Sequence, residues 1–182
     1  AFNLHDQNSH YSAGNGGKSS AISMLCPPAN YDKTISETRI KSMQIICSIT
    51  TLLNNYIPGH VARYSDDYEP RAFGDRLIEK KVSSILIESG FLPGDSNNNF
   101  LRKLNFISLL SAFEQIISNS YVSTNYQDYF SIPENERQLY DIILRNVFIN
   151  YNNRDYKVDI AINWNKKYDK VNEFIVKVPF YV

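Results

Sequence analysis

The chain reads as an α/β protein. Short apolar runs that end in polar side chains alternate with two long segments of helical periodicity, and two strictly alternating segments close the sequence. That alternation implies a sheet layered with helices. Its most informative run is Ile85-Leu86-Ile87, which stops abruptly in Glu88-Ser89-Gly90. A strand that delivers a carboxylate to its C-terminal end is how an open α/β sheet presents a reactive group. Ala1-Phe2-Asn3-Leu4 ends the same way, in His5-Asp6-Gln7. One imidazole and one carboxylate at strand ends suggest a metal ligand beside a general base.

The elements follow in order. After the first strand, residues 8 to 20 are polar and glycine-rich and read as a loop, and Ala21 to Leu25 is a short strand closed by Pro27-Pro28. Thr34 and Glu37 have the spacing of a capping box, with Thr34 at the N-cap. Ile35, Met43, Ile46, Ile49 and Leu53 then recur at helical spacing up to about Tyr56, before Pro58-Gly59. A polar loop, His60 to Pro70, precedes a short helix from about Ala72 to Lys80 and the Glu88 strand. Asn97 to Ser118 is a second long helix, with apolar residues numerous enough to predict burial on several sides. The character changes near Tyr121, so a boundary is placed between 1–122 and an appendage, 123–182. There Pro133 opens a predicted helix from Glu134 to Asn146. Tyr156 to Trp164 and Phe174 to Val178 alternate as strands, with 165–172 as the turn between them.

Composition narrows the function. Of 182 residues, 19 are Lys or Arg and 19 Asp or Glu, a balance that gives no support to a polybasic surface, so neither nucleic acid nor membrane is an expected partner. No apolar run reaches the roughly 18 residues of a membrane span, and the first residues lack the pattern of a signal peptide. The sequence begins and ends inside strand patterns, from which we expect a longer natural chain. Cys26 and Cys47 match no metal spacing and read as buried free thiols. Gly14 to Ser19 imitates a phosphate loop, but the position that needs the first glycine is Ser12, and Pro27-Pro28 leave no room for the following helix. The three histidines, His5, His10 and His60, form no paired ligand motif, so this chain alone offers no complete zinc set.

Taken together, Phe2-Asn3-Leu4-His5-Asp6-Gln7, the loop containing Tyr64, and Ile85-Leu86-Ile87-Glu88-Ser89-Gly90 resemble the C-terminal part of an M14 zinc carboxypeptidase domain of bacterial type, over residues 1 to 118. The resemblance implies a mixed sheet flanked by helices, with His5 as third zinc ligand and Glu88 as general base. It implies that Tyr64 closes over the substrate, with Tyr68 as the competing choice and Phe73 behind it. Phe100 to Phe106 is similar to the family's final helix. Arg71, by its interval from Phe73, falls at the base of the substrate side-chain pocket, where a cation favours an acidic C-terminal residue. The family's other zinc ligands come from an upstream His-x-x-Glu, and its substrate carboxylate is held by an upstream Asn-Arg pair. This sequence has neither; Asn153-Arg154 lies beyond the catalytic Glu and reads as a turn.

The resemblance therefore implies a missing N-terminal half, a peptide or small amide substrate, and an isolated chain that is inactive. Family members are often exported, which favours a periplasmic or extracellular location. An amidase or deacylase on the same fold, or a catalytically silent binding module, are the alternatives.

Overall fold

The computed structural model describes residues 1–169 and 174–181. By its internal contacts the chain divides after Gln138. The first unit runs β1 (Phe2–Asp6), β2 (Ser12–Ala13), β3 (Ile22–Leu25), α1 (Glu37–Asn54), β4 (Val61–Arg63), α2 (Phe73–Glu79), β5 (Ile85–Ser89), α3 (Asn99–Ser118) and β6 (Asn135–Glu136). Its main sheet has the order β1-β5-β3-β4. β1 lies parallel to β5, β5 antiparallel to β3, and β3 parallel to β4, so the sheet is mixed.

Register decides which side chains meet. His5 is opposite Glu88, Glu88 opposite Ser23, and Ser23 opposite Ala62. Residues paired in this way share a face, so these four form one row across the sheet. Phe2, Ile85, Ile87 and Met24 occupy the other face, against the helices. There the Phe2 ring meets Phe113 edge-on at 5.6 Å, and Asn105 Nδ2 donates to Ser89 Oγ at 2.9 Å. α1 packs on α3 and fills the core with Met43, Ile46, Ile49 and Leu53, all fully buried. Each contributes about 1.5–3 kcal/mol of apolar burial.

Local chemistry sets the helix ends. α1 starts two residues later than the capping box predicts: Ser36, not Thr34, is the N-cap, its Oγ accepting from the Arg39 N–H at 3.3 Å. Thr34 instead accepts from Asn30 Nδ2 in the preceding turn, and Ile35 is exposed. α3 is capped by Asp95, whose carboxylate accepts from the N–H groups of Phe100 and Leu101. It is not buried on several sides. Leu101, Leu104, Ser108 and Ala112 form one narrow buried stripe, while Phe106, Leu110, Phe113 and Ile117 are exposed. The loop at 8–20 is shaped by β2, which pairs with β6.

The expected helix at 134–146 does not form. Glu134 accepts from Gly14 N–H and pairs with Arg63, and β6 follows immediately, so tertiary contacts override the helix signal of Pro133. Residues 123–138 are thereby woven into the first unit. Tyr129 anchors them: its ring is fully buried and its hydroxyl accepts from the Cys26 N–H at 3.1 Å. The seam expected after residue 122 lies at the start of this segment, 16 residues before the division after Gln138.

The second unit is an antiparallel meander of β7 (Ile142–Tyr151), β8 (Arg154–Asp169) and β9 (Phe174–Tyr181), in the order β7-β8-β9. Asn152 and Asn153 both take positive φ, 52° and 58°, in the two-residue turn that matches the twist of a hairpin. Asn153-Arg154 is therefore at a turn, as expected. β8 continues through residues 165–169, which the sequence placed in a turn; 170–172 lie outside the described residues.

Candidate active site

β5 builds the site by alternation. Ile85 and Ile87 point into the helical core, so Glu88 must point to the opposite face, where only 7 % of it stays exposed. His5 arrives from β1 on the same face, its side chain 48 % exposed, with Nδ1 3.6 Å from Glu88 Oε1. The imidazole and the carboxylate that the sequence singled out are thus in direct contact. Burial pushes the Glu88 carboxyl above its ordinary value, opposed by the His5 imidazole and reinforced by the charge of Asp6. A carboxyl shifted in this direction is a better proton acceptor than an ordinary Glu, the direction a general base needs.

The pair is held by a close crossing of strands. Gly90 donates its N–H to Ala21 O at 2.9 Å, and a Cβ built on Gly90 would lie 2.1 Å from Ser20 O. Only glycine fits there, and it fixes the end of β5 against the start of β3. Ser23, next in the row, is engaged by Ser20, Oγ to Oγ at 2.6 Å.

Tyr64 follows β4, its N–H donating to Met24 O at 2.9 Å. Its phenol is pushed above its ordinary value by burial, by Tyr11 and by the charge of Glu88, which places it within electrostatic reach of the pair. The Tyr11 and Tyr64 rings are 6.4 Å apart. Two ion-paired clusters flank Tyr64 in the chain. On one side Arg63 binds Glu134 and lies over the rings of Tyr129 and Phe130. On the other, Asp66 is gripped by Arg39 and by Lys33, the latter at 2.9 Å. Tyr68 turns elsewhere, donating its hydroxyl to Glu79. Arg71 is exposed and folds onto the Glu69 carboxylate, Nε to Oε1 at 2.9 Å. Phe73 opens α2 exposed to solvent. His5 and Glu88 are therefore in contact, and the Tyr64 phenol feels the charge of Glu88, whereas among the described residues Arg71 pairs with Glu69 instead.

Sequence reasoning missed three groups. Arg39 is 1 % exposed yet lies on the helical stripe of Met43 and Ile46, where an Arg among buried apolar positions is itself a signal. Asp66 is its partner. Gln7 follows His5 by two residues, and both polar atoms of its amide are buried without a partner among the described residues. Its N–H holds Ser89 O at 2.7 Å, fixing it beside the strand ends that carry the pair. The cysteines are buried and free, as expected, their thiols pushed up to about 12 at Cys26 and about 11 at Cys47, chiefly by burial.

The donor set is incomplete for zinc. Among the described residues no group of three His, Cys, Asp or Glu side chains could hold a metal ion, and a catalytic zinc takes three protein ligands. None of the described helices is long and apolar enough to cross a membrane. Searches of protein-family models, of curated proteins and of solved structures returned no match to this chain.

Proposed function

We propose that this chain carries part of a zinc-dependent carboxypeptidase site, in which Glu88 is the general base and His5 one metal ligand. The observation that supports it is the 3.6 Å contact between an accessible imidazole and a buried carboxylate that burial raises above its ordinary value. The chain's own donors do not complete a zinc site, so the roles assigned here are those of its own side chains. Bound zinc, in such hydrolases, polarises the scissile carbonyl and acidifies water. Glu88 takes the proton of the attacking water on its carboxylate and returns it to the leaving amine. Tyr64 covers the substrate and hydrogen-bonds its peptide group, excluding water from the reacting atoms. The substrate is a peptide trimmed at its C-terminus; an amide or acyl group cleaved by the same pair is the near variant. Arg71 selects an acidic terminal residue only if it leaves Glu69, so equal rates on peptides ending in Glu and Leu would remove that role.

The test joins this chain to a segment bearing the family's His-x-x-Glu and measures zinc content and release of C-terminal residues. Glu88→Gln is expected to retain the metal and lose hydrolysis. The chain alone is expected to hold no stoichiometric zinc; finding it would contradict the assigned ligand set. The second reading, a catalytically silent binding module, is motivated by the incomplete donor set, and it prevails if the joined polypeptide neither takes up zinc nor hydrolyses peptides.

A further inference from the structure

The second unit carries an apolar sheet face of its own. Ile142, Leu144, Val147 and Ile149 of β7 lie opposite Ile162, Ile160, Val158 and Tyr156 of β8. The even-numbered run of β7 becomes odd-numbered at the register shift between Leu144 and Val147, where Asn146 adopts φ 59°. The bulge takes up one residue and so keeps these apolar side chains of β7 on one face. Trp164 and Tyr168 of β8, with Ile175 of β9, extend that face. The reverse face mixes polar pairs, Arg145 with Asp159 and Asn150 with Asp155, with Ile143, Phe148, Ala161 and the β9 residues Val176, Val178 and Phe180, but of its large apolar side chains only Ile143 and Phe148 are strongly exposed.

We propose that this face is the dimer interface of the chain, packed against the same face of a second copy to form a sandwich of two three-stranded sheets. Ile142, Leu144, Ile149, Tyr151, Tyr156, Tyr168 and Ile175 are all exposed. At roughly 200 Å² for a fully exposed large side chain they leave on the order of 700 Å² open. Two copies would bury about 1,400 Å², within the range of stable specific interfaces, whereas a patch of this size is at the limit for a monomer. The edges direct association to the face. β9 carries Pro179 and, on the same face, Lys177, which lies at the rim of the patch; β7 is broken by its bulge beside Arg145, so edge-to-edge growth is disfavoured.

Sedimentation equilibrium of the whole chain between about 1 and 100 µM tests this. A closed dimer is expected. Tyr151→Glu and Ile175→Glu, at exposed positions on the two outer strands, each place a charge in the buried face and are expected to raise the dimer Kd at least tenfold, with circular dichroism unchanged. Phe148→Glu, exposed on the reverse face, is expected to leave Kd unchanged. A monomer at 100 µM, open-ended growth, a dimer indifferent to Tyr151→Glu and Ile175→Glu, or one dissociated by Phe148→Glu overturns the proposal.

Discussion

Replacing Asp66 by Ala should destabilise the first unit far more than a surface ion pair would. Arg39 is 1 % exposed and its guanidinium is held by Asp66 and by the Lys33 carbonyl. Without the carboxylate the buried cation is uncompensated, a loss of about 3–5 kcal/mol. At roughly 4 °C per kcal/mol for a unit of this size, the melting temperature should fall by about 12–20 °C. Arg39→Met in the same chain removes the stranded charge and should restore most of that stability, because a buried ion pair is often worth no more than apolar packing. Lys33→Met, on the exposed side of the cluster, should cost less than about 1 kcal/mol.

The pH dependence has a fixed sign. Burial works against ionisation of Asp66, but its bonds to Lys33 and Arg39 prevail and hold its pKa below the ordinary 3.8. Its contribution is therefore whole above 3.8 and is lost as pH falls through the depressed folded value. Urea titrations of the four proteins at pH 7, and of wild type and Asp66→Ala down to pH 3, supply the measurement. A loss under about 1 kcal/mol for Asp66→Ala, or a double variant as unstable as the single, would refute the reasoning.

Glu88→Gln should be more stable than wild type at pH 7. The raised pKa means that Glu88 favours folding fully only below its ordinary 4.5 and loses that contribution as pH rises through the folded value; urea midpoints that fall on substitution at pH 7 would contradict this. Gly90→Ala should cost up to about 3 kcal/mol, because the atom its Cβ meets is the Ser20 backbone oxygen and cannot rotate away. An unchanged urea midpoint would show that the strands slide apart freely. Neither Cys26 nor Cys47 should react with a thiol reagent at pH 8 until the chain unfolds, since burial holds both as neutral thiols; labelling of the native protein within seconds would exclude that burial.

The pair itself was legible in the sequence because strand alternation is a local property. Ile85-Leu86-Ile87 fixes the side on which Glu88 emerges, and the polar stop after Leu4 marks His5 in the same way. What decides between Tyr64 and Tyr68 was not legible: Tyr68 is drawn away by Glu79 on a helix that follows it, and only the folded loop sets that partner. The mistaken helix at 134–146 has the same origin. Pro133 is a sound local signal, yet Glu134 is claimed by Gly14 and Arg63, more than 70 residues away in the chain. The burial of α3 was overestimated because its apolar residues were counted without knowing how narrow a stripe the sheet could cover.

The spatial order β1-β5-β3-β4 also governs when the pair can come into being. The strand bearing His5 precedes its neighbour in the chain by 83 residues, the separation of the paired residues Phe2 and Ile85. Closing a loop of that length costs about 4 kcal/mol of chain entropy, repaid only once β5 is in place against β3. Helices α1 and α3 can therefore form well before the imidazole finds its carboxylate. A spectroscopic probe on His5 would thus act as a clock for the last stage of folding, silent while helical signals are already complete.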